Sequence, residues 1–224
     1  MKKNYSICVL DAFTSNPGDL SWDALRQFGE IQVYERSPEE KVIERAKDAD
    51  ILLTNKVILD EDLIKKLPRL KYIGVLATGY NVVDIHAAKA HNIVVTNIPA
   101  YSTDSVAQMV FAHVLNIYNQ VQYHAQEVKK GRWSGCRDFS FFDKPLMELK
   151  GKTMGIVGLG RIGMATAQLA LAFGMEVIAL TSKTKDDLPA GISPVSEDEL
   201  FRQSDVLSRA KQPIFTMWGA IFTN

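Results

Sequence analysis

The chain has 224 residues, 46% of them hydrophobic and 23% charged, which excludes a disordered chain and allows one large domain or two modest ones. Its 26 basic residues balance 26 acidic ones, and no basic stripe breaks that balance, so nucleic acid and anionic membrane are not expected as partners. No stretch approaches the roughly 18 apolar residues of a membrane-spanning helix.

The opening MKKNYSICVLDAF is apolar only briefly before Asp11 and has no small-residue cleavage site, so it reads as a strand rather than a secretion signal. Two cysteines, Cys8 in that strand and Cys136 in a polar loop, fit a reducing compartment such as the cytoplasm, with Cys8 as a small buried hydrophobe and no disulfide between them.

Short apolar runs then alternate with helical patterns. SICVLDA, IQVYER, DILLTN, LKYIGVLAT and IVVTNIP read as five strands. Between them SWDALRQFG suggests a helix capped by Ser21 and stopped by Gly29. SPEEKVIERAKDA suggests one with Pro38 at its first position. DEDLIKKLP and NVVDIHAAKAHN suggest two more. Strands rich in Ile, Val and Leu that alternate with helices imply an α/β fold with a parallel sheet covered on both faces.

After Pro99, apolar residues from Val106 to Val121 recur at helical spacing. They predict one long helix over 102–130, about 40 Å at 1.5 Å per residue. Ser102 or Ser105 can cap it, Ser105 and Gln108 fit a capping box, and Lys129, Lys130 and Gly131 suit its end. Such a helix either bridges two bodies or is a long core helix.

The sharpest signal is TMGIVGLGRIGMATAQLALAFGMEVIAL. Met154–Val157 reads as a strand, Ile162–Phe173 as a helix and Glu176–Leu180 as the next strand, with Gly158, Gly160 and Gly163 in G-x-G-x-x-G spacing between the first two. Gly158 permits the tight turn, Gly160 lets a pyrophosphate approach the backbone, and Gly163 lets helix and strand pack closely. The amides of the turn and helix start, from Leu159 through Ile162, then face the phosphates, and Arg161 can add a charged contact. An unliganded tight turn and a methyl-donor site remain the alternatives. At the tip of the second strand, where NAD sites place an acid, stand Thr181, Ser182 and Lys183; Asp186 and Asp187 come only after Lys185. Hydroxyls and lysines accept a 2′-phosphate that a carboxylate repels, so NADP is preferred over NAD. The alternative leaves Lys183 and Lys185 as solvated loop charges.

The chain resembles the D-isomer-specific 2-hydroxyacid dehydrogenases, the group of glycerate dehydrogenase and the hydroxypyruvate and glyoxylate reductases. The resemblance rests on LKYIGVLATGYNVVDIHAAKAHNIVVTNIPAYSTDSVAQMVFAHVLNI, GRW, ELKGKTMGIVGLGRIG and SDVLS, in that order. It implies two doubly wound parallel-sheet domains. Residues 1–99 form a flavodoxin-like substrate domain without its C-terminal return helix, and 100–208 an incomplete Rossmann domain that binds NAD or NADP. It implies that Leu76, Ala77, Thr78 and Gly79 hold the substrate carboxylate through backbone N–H groups, a nest that binds an anion without a competing base. It places Ser102 to Val106 near the nicotinamide, and the long helix in a homodimer interface. The implied reaction moves a hydride between nicotinamide and a small 2-hydroxy or 2-keto acid, with glycerate and hydroxypyruvate first.

The family's catalytic set is an Arg, a Glu and a His, all following the nucleotide domain's later strands. Nothing in this sequence matches those motifs: Arg209 comes too early, and His86, His91, His113 and His124 all precede the glycine turn and read as surface or packed residues. From Arg209 the sequence leaves the family pattern. Residues 209–224 are therefore expected to be a non-family tail on a C-terminally truncated chain of very low turnover. The strand at Asp205–Ser208 is expected to present an unpaired apolar edge, which Ile214, Phe215, Trp218, Ile221 and Phe222 either cover in part or make sticky. The rival expectation is a non-catalytic dinucleotide-binding or dimerising fragment.

Overall fold

The computed structural model describes residues 4–210 and 220–222 and divides into two compact units, Met1–Tyr101 and Ser102–Asn224.

The first unit is a five-stranded parallel sheet of β1 (Tyr5–Val9), β2 (Gly29–Val33), β3 (Ile51–Thr54), β4 (Tyr72–Val75) and β5 (Val94–Asn97), in the order β2-β1-β3-β4-β5. This is the flavodoxin-like order. Alternation along the strands feeds two cores. Cys8, Leu10, Leu52, Ile73 and Val75 pack with Val42 and Ala46 of α1 (Glu39–Ala46), Ile64 of α2 (Glu61–Ile64) and Ala87 and Ala88 of α3 (Ile85–Ala90). Ile7, Val9 and Leu53 face the other way, against Trp22 and Leu25. Asp60 caps α2 by accepting from the Leu63 N–H, and Asp84 caps α3 by accepting from His86 and Ala87; each such cap is worth about 1 kcal/mol.

The helix expected over SWDALRQFG is only a 3-10 turn, Asp23–Gln27. The Ser21 hydroxyl accepts from the Asp23 N–H, two residues on, and donates to the Asp23 carboxylate. That closes a local turn instead of capping an α-helix, and Gly29 opens β2 rather than ending a helix.

The second unit is built on β6 (Thr153–Val157), β7 (Glu176–Leu180), β8 (Ile192–Pro194), β9 (Val206–Arg209) and β10 (Ala220–Phe222), in the order β10-β9-β6-β7-β8. All neighbours are parallel except β10 against β9. Counted within the unit, the four parallel strands run 3-2-1-4, one half of a Rossmann sheet and the strand beyond its midline. Met154, Ile156, Val177, Ala179 and Val206 pack with Ala167 and Ala170 of α6 (Arg161–Ala172) and with Phe111, Val114 and Tyr118 of α4 (Thr103–Asn119). Ile178 and Leu207 meet Leu200 of α7 (Glu197–Gln203) on the opposite face.

Three expectations change here. The single helix over 102–130 is two: α4 ends at Asn119, α5 runs Val121–Lys129, and Gln120 between them is left-handed at φ 47°, ψ 41°. The Asn116 side chain accepts the Gln122 N–H at 3.0 Å, taking a ladder donor from the backbone. The 17 residues of α4 span about 25 Å, not 40. The Ser105–Gln108 capping box does not form, because the helix already begins at Thr103. The edge of β9 is not bare: Ala220, Ile221 and Phe222 stand opposite Ser208, Leu207 and Val206 in an antiparallel ladder. Ile214, Phe215 and Trp218 lie outside the described residues. Beyond the expected elements, Ser196 and Glu199 form a capping box that starts α7.

Among the described residues, no helix is long and apolar enough to cross a membrane.

Candidate functional site

The glycine turn leaves the centre of the second sheet at the end of β6. Gly158 sits at φ +88°, in the left-handed region that favours glycine. Its N–H donates to the Leu180 carbonyl at 3.0 Å, tying the turn to β7. Gly163 lies on α6 where a Cβ would stand 2.2 Å from the Gly158 carbonyl oxygen, so only glycine allows helix and turn to meet. Gly160 has an ordinary φ of −78°, and a Cβ there would meet nothing within 4 Å among the described residues. Neither conformation nor packing against the described residues requires glycine at 160; a ligand lying against the backbone there would require it. The N–H groups of Leu159, Gly160, Arg161, Ile162 and Gly163 find no acceptor among the described residues, and Gly160 as N-cap has no side chain to satisfy them. Leu159 is buried at 3% exposure, whereas Arg161 is exposed beside the open turn. A row of free amides at a helix start, with its dipole, is an anion cradle. These residues fit the pyrophosphate of a dinucleotide.

At the β7 tip, Thr181 is half-buried and its hydroxyl accepts the Lys183 N–H at 3.2 Å. Ser182 and Lys183 are exposed. Asp186 and Asp187 follow, and Asp187 turns back: its carboxylate accepts from the Thr184 hydroxyl at 2.7 Å and the Thr184 N–H at 3.3 Å. Those hydrogen bonds, with the charge of Lys183, hold its carboxyl below the ordinary value. Asp187 therefore serves as a local cap.

In the first unit, Leu76–Gly79 leaves the carboxyl end of β4. Leu76 donates to the Thr54 carbonyl at 2.8 Å, and the Ala77 carbonyl accepts from Ile98 at 3.1 Å. Asn97 Nδ2 donates to the Thr78 carbonyl at 2.8 Å, and the Thr78 hydroxyl donates to the Ile98 carbonyl at 3.1 Å. The carbonyls of 77 and 78 are thus spent, while the N–H groups of Ala77, Thr78 and Gly79 have no acceptor among the described residues. Ala77 is buried at 8% exposure. Thr78 and Gly79 are half-buried, and successive unpartnered amides of this kind can hold a small anion.

Val106 lies in the first turn of α4, half-buried, its N–H on the Ser102 carbonyl. His86 and His91 are exposed on and just after α3, and His113 is exposed on α4. His124 Nδ1 lies 3.0 Å from the Gln120 carbonyl, with Tyr123 and Phe141 against its ring. Cys8 and Cys136 are free thiols. Burial of Cys8 at 2% exposure pushes its thiol up to about 12, beyond reactive use.

Sequence pattern alone passes over Asp11. Its carboxylate is buried at 4% exposure and accepts the N–H groups of Asn55 at 2.9 Å and Lys56 at 2.6 Å. An acid closing an apolar strand was the available signal.

The family described as D-isomer specific 2-hydroxyacid dehydrogenase, catalytic domain, matches residues 9–200. A hydroxypyruvate reductase of Blautia hydrogenotrophica is 46% identical over 206 residues, covering 90% of this chain and 64% of that protein. A glycerate dehydrogenase of Methylorubrum extorquens is 37% identical over 181 residues, covering 80% of this chain and 55% of that one. The chain thus spans less than two thirds of the length of these relatives. Among solved structures, an acyclic imino acid reductase in complex with NADPH and D-Arg superimposes with a TM-score of 0.73 at 30% identity, covering 93% of this chain and 66% of that one.

Proposed function

The chain belongs to the D-isomer specific 2-hydroxyacid dehydrogenase family, and from that premise we propose that it binds a nicotinamide dinucleotide at the Gly158–Gly163 turn and a small 2-keto or 2-hydroxy acid at the Leu76–Gly79 loop. The observation that carries this reading is the run of unpartnered amides from Leu159 to Gly163 beside the open face of Gly160. Those amides hold the pyrophosphate and Arg161 adds charge at its edge. When bound, the nicotinamide gives or takes the hydride. The amides of Ala77, Thr78 and Gly79 orient the acid through its carboxylate, and Val106 lies near the nicotinamide. Hydroxypyruvate and glycerate are the first substrates to test, because relatives at 46% and 37% identity carry those names.

Thr181, Ser182 and Lys183 favour NADP over NAD, because no acid stands at the strand tip itself and, of the two that follow Lys185, Asp187 is turned onto Thr184. Exposed Met109, Ile117 and Val121, on α4 and at the start of α5, supply a homodimer contact. The proposed compartment is the cytoplasm.

Proton transfer is the weak part of this chain. A positioned general acid is worth about 10² to 10⁴-fold. Among the described residues none of the four histidines forms a hydrogen bond or ion pair with a carboxylate: three are exposed on or beside helices, and His124 faces the Gln120 carbonyl while Asp143, whose carboxyl feels the His124 charge, is paired with Arg132. Turnover of the 224-residue chain is therefore low. That observation also favours a second reading, a non-catalytic dinucleotide-binding or dimerising fragment.

Calorimetric titration with NADPH and NADH, followed by a steady-state assay with hydroxypyruvate, tests both parts. Binding of NADPH tighter than NADH with turnover at least about 100-fold below that of a full-length relative is expected. Tenfold tighter NADH would sink the NADP preference, and relative-like turnover would sink the low-activity reading. No binding of either dinucleotide would sink the function.

A further inference from the structure

We propose that Asn97 is a positioning residue for the substrate loop: its side-chain amide holds the Thr78 carbonyl and so aims the Gly79 N–H at the substrate carboxylate. The inference rests on the reading of Leu76–Gly79 given above and adds to it the residue that orients one of the donors.

Asn97 is the last residue of β5, and its Cα partner is Val75, the last residue of β4. A side chain at that register stands beside the segment that leaves β4. Asn97 is half-buried there, and its Nδ2 donates to the Thr78 carbonyl at 2.8 Å. The next residue completes the hold. The Ile98 N–H donates to the Ala77 carbonyl at 3.1 Å, and the Ile98 carbonyl accepts from the Thr78 hydroxyl at 3.1 Å. The Thr78 hydroxyl is thus spent on the end of β5. The whole hold is made by neutral groups, so it brings no carboxylate to compete with a bound anion.

A trans peptide is planar, with its C=O and N–H pointing opposite ways, and no peptide among the described residues is cis. Fixing a carbonyl therefore fixes the amide that follows it. The Ile98 N–H on the Ala77 carbonyl turns the Thr78 N–H away from β5. Asn97 on the Thr78 carbonyl does the same for the Gly79 N–H. Neither amide has an acceptor among the described residues. The first hold comes from backbone and would survive most substitutions at 98. The second needs a side-chain donor of asparagine's reach at 97. Gly79 has no Cβ to restrict rotation, so without that donor the peptide between 78 and 79 can turn its carbonyl, rather than its N–H, to the anion.

Titration of the ¹⁵N-labelled full chain with D-glycerate, followed by amide chemical shifts, tests this, with glycerol as the control that lacks the carboxylate. In the parent chain, saturable shifts at Thr78 and Gly79 are expected with glycerate and none with glycerol. Asn97→Ala should weaken glycerate at least about fivefold. At saturation the Gly79 response should be lost and the Thr78 response kept. Asn97→Asp, equal in size but without a donor when ionised, should weaken glycerate at least as much, so the result does not hang on the folding of one variant. Thr96→Val removes a side-chain hydrogen bond to Tyr72 one residue earlier on the same strand and should leave the affinity within about twofold. Glycerate affinity unchanged in both Asn97 variants, Thr78 and Gly79 responses lost together, or an equal loss in Thr96→Val would each overturn the role of Asn97 while leaving the substrate loop standing. No saturable shift at 77–79 in the parent chain would overturn the substrate loop itself, and the role of Asn97 with it.

Discussion

The two sheets are built alike at their amino ends and differently at their carboxyl ends. At the amino end of β3, Asp50 donates its N–H to the Ser6 carbonyl at 2.9 Å and accepts the Ser6 N–H at 3.1 Å. At the amino end of β9, Asp205 donates to the Thr153 carbonyl at 3.0 Å and accepts the Thr153 N–H at 2.8 Å. Each aspartate thus clamps the first strand of its unit, and each adds a lysine, Lys71 at 2.7 Å and Lys152 at 3.3 Å. Where the first strands end, the likeness stops. After β1, the Asp11 carboxylate takes two backbone amides. After β6, the glycine turn leaves its amides without an acceptor among the described residues. The same position in the same kind of sheet becomes a structural joint when a carboxylate fills it. It becomes the cradle proposed for an anion when nothing does.

The sharpest way to break that comparison is to put side chains into the cradle. Gly163→Val sets a Cβ against the Gly158 carbonyl at 2.2 Å, a backbone atom that cannot swing away. It should cost at least about 2 kcal/mol and abolish NADPH binding. Gly160→Asp is the cleaner test, since its Cβ enters open space at a φ any residue adopts. The new carboxylate can accept the free amides as Asp11 does, and it repels a pyrophosphate. Thermal midpoints should stay within roughly 2 °C while calorimetry shows NADPH affinity falling about 100-fold, near 2.7 kcal/mol. Undiminished affinity would mean that the free amides do not hold the dinucleotide.

What was legible in the sequence follows the same division. The strands and the glycine turn could be read because apolar runs and fixed glycine spacing act locally. The helices in DEDLIKKLP and NVVDIHAAKAHN were read from pattern, but the caps Asp60 and Asp84 that start them at Glu61 and Ile85 were not singled out. The break at Gln120 could not be read, because the apolar stripe from Val106 to Val121 runs straight through it and the local signal is one asparagine, Asn116. The unpaired amides of Ala77 to Gly79 were implied only by resemblance: whether an N–H is free depends on where Asn97 and Ile98 come to lie. Asp11 was missed because its partners are more than forty residues away.

Removing the joint should do the reverse of filling the cradle. Asp11→Ala leaves the Asn55 and Lys56 amides without their acceptor and should destabilise the first unit by about 2–3 kcal/mol. NADPH affinity should stay within twofold, since no residue of the glycine turn depends on Asp11. Denaturant unfolding with calorimetry separates the two effects. A loss of dinucleotide affinity without loss of stability would show that the joint is no joint.

The smallest effect tests the half of the comparison that claims likeness. Asp50 and Asp205 make the same backbone clamp, but the Asp50 side chain is 6% exposed and that of Asp205 36%. Asp50→Asn should therefore cost about 1–3 kcal/mol, and Asp205→Asn less than about 1. The Lys71 hydrogen bond, then the Ser6 N–H and the charges of Lys71 and Arg69, hold the Asp50 carboxyl below its ordinary value against its burial. A group lowered on folding binds its proton more readily in the unfolded chain, so stability rises with pH between the two values. The Asp50 contribution is complete above the unfolded carboxyl value near 4 and fades as pH falls through the lower folded one. Urea midpoints from pH 5 down to pH 2 should fall less steeply for Asp50→Asn than for the parent chain. Parallel slopes would place the acid sensitivity of this unit in other carboxylates and leave Asp50 a backbone clamp alone, as Asp205 then would be.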